Sequence, residues 1–412
     1  MAPRRRPRRF PVCDAALADF AVSMRDNLLS AAQDGDVPLL KRTVRMLDEE
    51  VLPPTEFVEG ARGDQGIWAL TVAAGNGRME VCRYLLQVLR VDVNAADHKG
   101  HTPLFHAVHK QRNEYADVVK CLLDRGADPD TASEGGISPL HCAAGNGPLF
   151  LNKYLCTLYF GDYKIIELLL AKGAYVDPIA DNMGTPLVLA TRLKKVGVVK
   201  ILLEHNADPN KPFMTEDDVP FPMTPLLQAV NASSVECAKL LVEAGAVVTS
   251  DCLTAISLGP TMENDSAIEC LDFLMEAYAR RDAPNDDKHV NAWKIKQLKS
   301  FGSQAVQRKD YFSACLFYTK AIDIDPSDAT LFSNRSICSL RQGDGQAASL
   351  DALKCRELRP DWAKVCYRHG AALMSLEEYE SASQAFSDGL ELDPESAERA
   401  CITGSHGIAE EM

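Results

Sequence analysis

The stretch 361–394, DWAKVCYRHGAALMSLEEYESASQAFSDGLELDP, decides the architecture because its last residue closes a period. Pro394 stands 34 residues after Pro360, and Pro360 stands 34 after Pro326; the strings that end on them read GLELDP, CRELRP and AIDIDP. A proline after an apolar helical run stops the helix, since it has no N–H to donate and its ring clashes with the preceding turn. Three units follow one another at 295–328, 329–362 and 363–396, each long enough for a two-helix hairpin. The small residues Gly302, Ser336 and Gly370 recur at one position of the first helix, and Ala314, Ala348 and Ala382 at one position of the second. A bulky side chain at either position would push apart two helices whose axes pack ~8 to 10 Å from each other.

Upstream the period changes. Openings read WALTVAAGNG from Trp68, TPLFHAV from Thr102, SPLHCAAGNG from Ser138, TPLVLAT from Thr185, TPLLQAV from Thr224 and a weaker TAISLG from Thr254, with starts 34, 36, 47, 39 and 30 residues apart. Each opening Thr or Ser can cap a helix with its hydroxyl, and the Pro after it fits the first turn, where a missing N–H costs nothing. The second helices read VVKCLLDRGADPD, IIELLLAKGAYVD, VVKILLEHNADPN and AKLLVEAGAVV. Gly126, Gly173, Asn206 and Gly245 end them, where the chain leaves through a left-handed conformation. LLSAAQDGDVPLLKRTVRML from Leu28, turning at Gly35, reads as an N-terminal capping unit, and SAIECLDFLMEAYARR as the opposite cap. The longest excess over the period, GPLFLNKYLCTLYFGDYK, carries Leu149, Phe150, Tyr154, Leu155, Leu158, Tyr159 and Phe160. These either lengthen the helices or build an aromatic bulge on one face, as local packing or as a partner-binding surface. A second excess, KPFMTEDDVPFPM at 211–223, reads as an extended exposed loop.

Composition sets limits on function. The net charge of -14 is the wrong sign for a general nucleic-acid coat, and no apolar stretch reaches the length of a membrane span. The basic exception is MAPRRRPRRF, where Arg4, Arg5, Arg6, Arg8 and Arg9 read as a disordered tail, a weak contact for an anionic surface or a nuclear-import patch. Thirteen cysteines without any CxxC read as buried thiols of a reducing compartment, which makes the expected location cytoplasmic, with the Arg4 to Arg9 run leaving the nucleus open. His98, His101, His106 and His109 are close in sequence, but no Cys or carboxylate at helical or knuckle spacing completes a metal site, so none is expected. His141 in SPLHCAA reads as a hydrogen-bonded bridge between neighbouring turns. Phosphate-loop, hydrolase, metalloprotease and kinase signatures are all missing, so the expectation is a non-enzyme without cofactors.

The upstream unit, a turn leading into two antiparallel helices, is similar to ankyrin repeats, and the proline-closed unit to tetratricopeptide repeats; together they resemble plant-type proteins that join the two. The expected fold is all-α: a basic tail at 1–19, six to seven ankyrin repeats over 20–280, a linker at 281–290, a three-repeat tetratricopeptide superhelix at 291–398 and a tail at 399–412. LKSFGSQAV, LFSNRS and DWAKVCYRHGAAL make the second array resemble the tetratricopeptide domains of heat-shock co-chaperones. That resemblance implies a carboxylate clamp for the acidic C-terminal tail of the 70-kDa or 90-kDa chaperone, ending Glu-Glu-Val-Asp. It places the clamp on Lys299, Ser303, Asn334, Lys364 and Arg368, with Ser303 where the family has asparagine. The residues also make sense by themselves: Lys299 and Ser303 are four apart, as are Lys364 and Arg368, so each pair shares a helix face, and lysine, arginine and asparagine are fitting donors for carboxylates. The reading that follows is an adaptor or co-chaperone, with an unidentified protein at the ankyrin surface. Its rival is a scaffold for internal peptide segments, in signalling or transcriptional regulation, and the rival gains if Lys299 and Lys364 are engaged by Asp or Glu of the chain itself.

Overall fold

A computed structural model describes residues 14–50, 54–109, 115–145, 163–181, 183–213, 223–258, 265–282 and 286–394. The Arg4 to Arg9 run, the seven aromatic and aliphatic residues between Leu149 and Phe160, positions 214–222 of the acidic loop and the tail at 399–412 lie outside them. The chain divides into two compact units, the first ending at Val247 and the second beginning at Val248.

The first unit is a succession of short helices: α1 (Asp14–Asp34), α2 (Val37–Glu50), α3 (Pro54–Gly60), α4 (Ala69–Gly75), α5 (Met79–Tyr84), α6 (Pro103–His109), α7 (Ala116–Asp124), α8 (Pro139–Gly145), α9 (Tyr163–Ala171), α10 (Pro186–Arg192), α11 (Val196–Glu204), α12 (Pro225–Asn231) and α13 (Val235–Glu243). The expected start signals do what their chemistry suggests. Thr102, Thr185 and Thr224 each accept a hydrogen bond from the N–H three residues on, at 3.2, 3.3 and 3.2 Å, and the following proline opens the helix. Each such cap stabilises its helix by about 1 kcal/mol. Trp68 replaces the hydroxyl at the first opening; it is fully buried and its indole N–H donates to the Ala95 carbonyl at 3.0 Å. At the other end of the hairpins Gly126, Gly173, Asn206 and Gly245 all have positive φ, as the endings require.

Neighbouring repeats are joined by a ladder of side-chain to backbone hydrogen bonds. Glu59, Asn94, Asp130, Asp177 and Asn210 accept from the N–H of Asp92, Asp128, Tyr175, Asp208 and Val247, at 2.8 to 2.9 Å. Asn94 and Asn210 also donate, to the carbonyls of Gly126 and Gly245. Among the described residues there is no strand, only isolated bridges at Ala180 with Gly184 and Phe213 with Met223, the second closing the base of the acidic loop.

The second unit holds α14 (Ser250–Leu258), α15 (Asp265–Asp282), α16 (Asp287–Gln307), α17 (Tyr311–Ile324), α18 (Ala329–Arg341), α19 (Gly345–Leu358), α20 (Ala363–Ser375) and α21 (Tyr379–Leu392). The last six are three hairpins in the expected register. A Cβ on Gly302 would lie 2.7 Å from the Tyr318 ring, and one on Gly370 2.6 Å from Phe386, while Ser336 fits because its hydroxyl donates to the Ala348 carbonyl at 2.8 Å. Ala314, Ala348 and Ala382 are fully buried.

The boundary differs from the sequence expectation. SAIECLDFLMEAYARR, read as the closing ankyrin cap, forms α15 and packs with the tetratricopeptide hairpins: Tyr278 stacks on Trp293 at 4.9 Å, Lys294 pairs with Glu276, and Lys320 reaches Asp272 at 2.5 Å. The expected linker at 281–290 is largely helix, with α15 ending at Asp282 and Asp286 capping α16 through the His289 N–H. The 3.6-residue pattern of α15 specifies a buried face, and Leu271, Leu274 and Met275 are indeed buried. It does not specify which array covers that face.

Candidate functional site

The five residues assigned by resemblance fall on the first helices of the three hairpins: Lys299 and Ser303 on α16, Asn334 on α18, Lys364 and Arg368 on α20. Their environments differ. Lys364 is exposed and makes no ion pair among the described residues. Asn334 is half-buried. Ser303 is exposed and its hydroxyl donates to the Lys299 carbonyl one turn back, at 2.9 Å.

Lys299 is held by Asp328, the N-cap of α18. One Asp328 oxygen caps through the Thr330 N–H at 2.9 Å, and the other takes the ammonium. Burial pushes the Asp328 carboxyl up, but the Lys299 and Thr330 bonds outweigh it and hold the group below its ordinary range. This contact meets half of the condition set for the rival reading; Lys364 does not supply the other half. A helix cap and a lysine 29 residues before it become neighbours only when hairpins stack, which is why the sequence reading lacked it.

Arg368 is 7% exposed. Its Nη1 donates to the Ser333 hydroxyl on α18, its Nε has no partner among the described residues, and no described carboxylate pairs with it. Burial lowers its pKa to about 10, opposed by nearby Cys355, Cys338 and Tyr318, so the guanidinium keeps its charge at neutral pH. A buried cation without a counter-ion is costly, because it gives up its hydration without regaining that energy from a carboxylate.

Arg335, inside LFSNRS, is a functional-looking arginine with a structural role. It grips Asp351 of α19 through two bonds of 2.8 and 2.7 Å and reaches the Thr319 hydroxyl at 2.9 Å. Its charge is satisfied by Asp351 within the second hairpin, with Thr319 of the preceding hairpin as a further acceptor.

In the first unit His141 bridges turns as expected. Its Nε2 donates to the Gly184 carbonyl at 2.9 Å and its Nδ1 accepts from the Ser138 N–H at 3.2 Å, which fixes the tautomer by the nature of the partners. Burial lowers its pKa to about 4, against the raising effect of the Gly184 bond. The neighbouring histidines correct the sequence reading. A carboxylate does join them: Asp97 lies 3.2 Å from His101 Nδ1 and 2.9 Å from His106 Nε2. The pattern D-x3-H-x4-H over DHKGHTPLFH was visible, and its first pair even has the four-residue spacing of a helix, but the sequence reading overlooked Asp97 because it stands in the turn ahead of the repeat opening.

The family described as Ankyrin repeats (3 copies) matches residues 28–133, 70–164, 112–213 and 155–252, an unbroken run over more than half of the chain. Among curated proteins the chain is similar to the Heat shock protein sti1 homolog of Schizosaccharomyces pombe, 42% identical over 102 residues, which is 25% of this chain and 17% of that protein. It is also similar to Small glutamine-rich tetratricopeptide repeat-containing protein 2 of Mycosarcoma maydis, 37% identical over 101 residues (24% and 29%). A third relative is Hsp70-Hsp90 organizing protein 1 of Glycine max, 36% identical over 111 residues (26% and 19%). The chain spans less than a third of the length of each of these relatives. Ankyrin and tetratricopeptide repeats are both protein-interaction modules, and no described helix is long and apolar enough to cross a membrane.

Proposed function

We propose that this chain, which belongs to the ankyrin-repeat family and carries a tetratricopeptide array in its second unit, is a non-enzymatic co-chaperone adaptor. Its second unit grips the acidic C-terminal tail of a 70-kDa or 90-kDa heat-shock chaperone, and its ankyrin repeats take a client or partner protein. The observation that carries this reading is Arg368, a buried guanidinium with an orphan Nε and no carboxylate partner among the described residues. With Lys364 exposed on the same helix, α20 offers two cations to an incoming carboxylate. Relatives whose names join them to Hsp70 and Hsp90 support the choice of ligand. We place the protein in the cytoplasm, in keeping with ten described cysteines that are all free thiols.

Isothermal titration with one acidic peptide, once as the free acid and once C-terminally amidated, tests the clamp. The free acid is expected to bind at least about tenfold more tightly, since charge-assisted hydrogen bonds contribute ~1.5 to 3 kcal/mol where water is partly excluded. Lys364→Ala is expected to lose about the same factor. Equal affinity for the two peptides would refute the clamp.

The Lys299–Asp328 pair favours the rival reading, in which these cations are ordinary groove surface and the ligand is an internal segment. Asp328→Asn separates the two, because the amide keeps an oxygen to cap α18 while releasing Lys299. If Lys299 reads the ligand carboxylate, the variant should bind the free-acid peptide up to about fivefold more tightly, the scale of a half-exposed ion pair. No change in affinity removes Lys299 from the clamp.

A further inference from the structure

We propose that Asp97, His101 and His106 form a binding site for one divalent transition-metal ion of the zinc type, a site independent of the peptide groove. The sequence alone argued for no metal because the carboxylate was not recognised. In the fold, three ligand atoms, Asp97 Oδ2, His101 Nδ1 and His106 Nε2, lie within 4.8 Å of one another. Zinc bound at its usual ~2.0 to 2.2 Å from tetrahedrally arranged N and O ligands holds them about 3.3 Å apart. The two separations from Asp97, 3.2 and 2.9 Å, differ from that spacing by a few tenths of an ångström.

The supporting contacts are of the kind that orient metal ligands. Asp97 Oδ1 accepts from the N–H of Lys99 and of His101, both at 2.9 Å, which turns the other oxygen towards the imidazoles. The Asp97 side chain is 4% exposed. His101 stacks on Phe105 with ring centroids 4.3 Å apart, and His106 stands edge-on to His101. Both imidazoles remain about a quarter exposed, which leaves a path for the ion and room for a water as fourth ligand. Two imidazoles and one carboxylate suit zinc and its first-row neighbours and disfavour calcium or magnesium, which take oxygen ligands. To bind an ion, His101 Nδ1 and His106 Nε2 must each present a lone pair, which puts any ring proton on the other nitrogen.

The full chain, stripped with a chelator and dialysed against zinc and then against metal-free buffer at neutral pH, tests the site by metal content per chain. One equivalent above the variants is expected in the wild type, and cobalt in place of zinc should give the visible bands of a low-symmetry four-coordinate ion. His101→Gln with His106→Gln should lose that equivalent. Asp97→Asn, which keeps an oxygen for the two backbone N–H groups, should lose it without unfolding the turn, as checked by circular dichroism. Zinc retained equally by the wild type and these variants would place it on thiols elsewhere and overturn the proposal. No retained zinc in the wild type would overturn it as well, leaving a carboxylate hydrogen-bonded to two imidazoles.

Discussion

Between pH 6.5 and pH 4 the native chain is expected to lose about 3 kcal/mol more stability than its His141→Gln variant. Burial lowers the His141 pKa from 6.5 to about 4. Above pH 6.5 the imidazole is neutral in both the folded and the unfolded chain and the contribution is fully present. As pH falls through this window the unfolded chain takes up a proton that the folded chain refuses, so unfolding becomes more favourable until the folded pKa is reached. Each pKa unit corresponds to about 1.4 kcal/mol, which sets the size of the loss. Urea unfolding at pH 7, 6, 5 and 4 gives the two curves. A parallel fall in wild type and variant would mean that His141 is protonated without cost, contrary to its place between Ser138 and Gly184.

Gly302→Val is expected to destabilise the second unit by about 3 kcal/mol, the upper end of ordinary overpacking. Two effects oppose each other. Replacing a mid-helix glycine removes a backbone penalty of roughly 0.5 kcal/mol. Against that, the first added carbon meets the Tyr318 ring at 2.7 Å, and Tyr318 is 2% exposed, so the ring has nowhere to go and α16 must shift from α17. The clash wins by a wide margin. Urea denaturation followed at the helical circular dichroism band measures it, and an unchanged midpoint would show that the two helices are not held as closely as the ring contact implies.

The same glycine shows why so much of the second unit was legible. A period of 34 residues, a proline at each close and a small residue at each helix crossing are local signals, and local signals survive in a sequence read without coordinates. The Thr-Pro openings and the Gly or Asn endings of the first unit were readable for the same reason. Contacts between elements were not. Asp328 reached Lys299 across two stacked hairpins, Asp351 took Arg335 across one, and α15 joined the hairpins after it, because these depend on which helices packing sets side by side; Asp97 lies only four and nine residues from its two histidines and was overlooked at a turn. The clamp assignment also treated Lys364 and Arg368 as equivalent donors four residues apart on one face. Depth separates them: one is exposed, the other nearly buried.

The ladder that runs from Glu59 to Val247 has unequal spacing along the chain, 33, 34, 45, 31 and 37 residues from acceptor to donor, yet its bonds vary by only 0.1 Å. The extra sequence after Gly145 and the acidic loop after Phe213 are spent between rungs and leave the joints alone. Glu, Asn and Asp all serve at the rungs as acceptors through one oxygen at a fixed distance from the next hairpin, and the two asparagines add a bond to a carbonyl there. Length and composition in those two intervals are therefore free of the constraint that the rungs impose, which makes them the natural places to splice in a foreign segment without retuning the rest of the array.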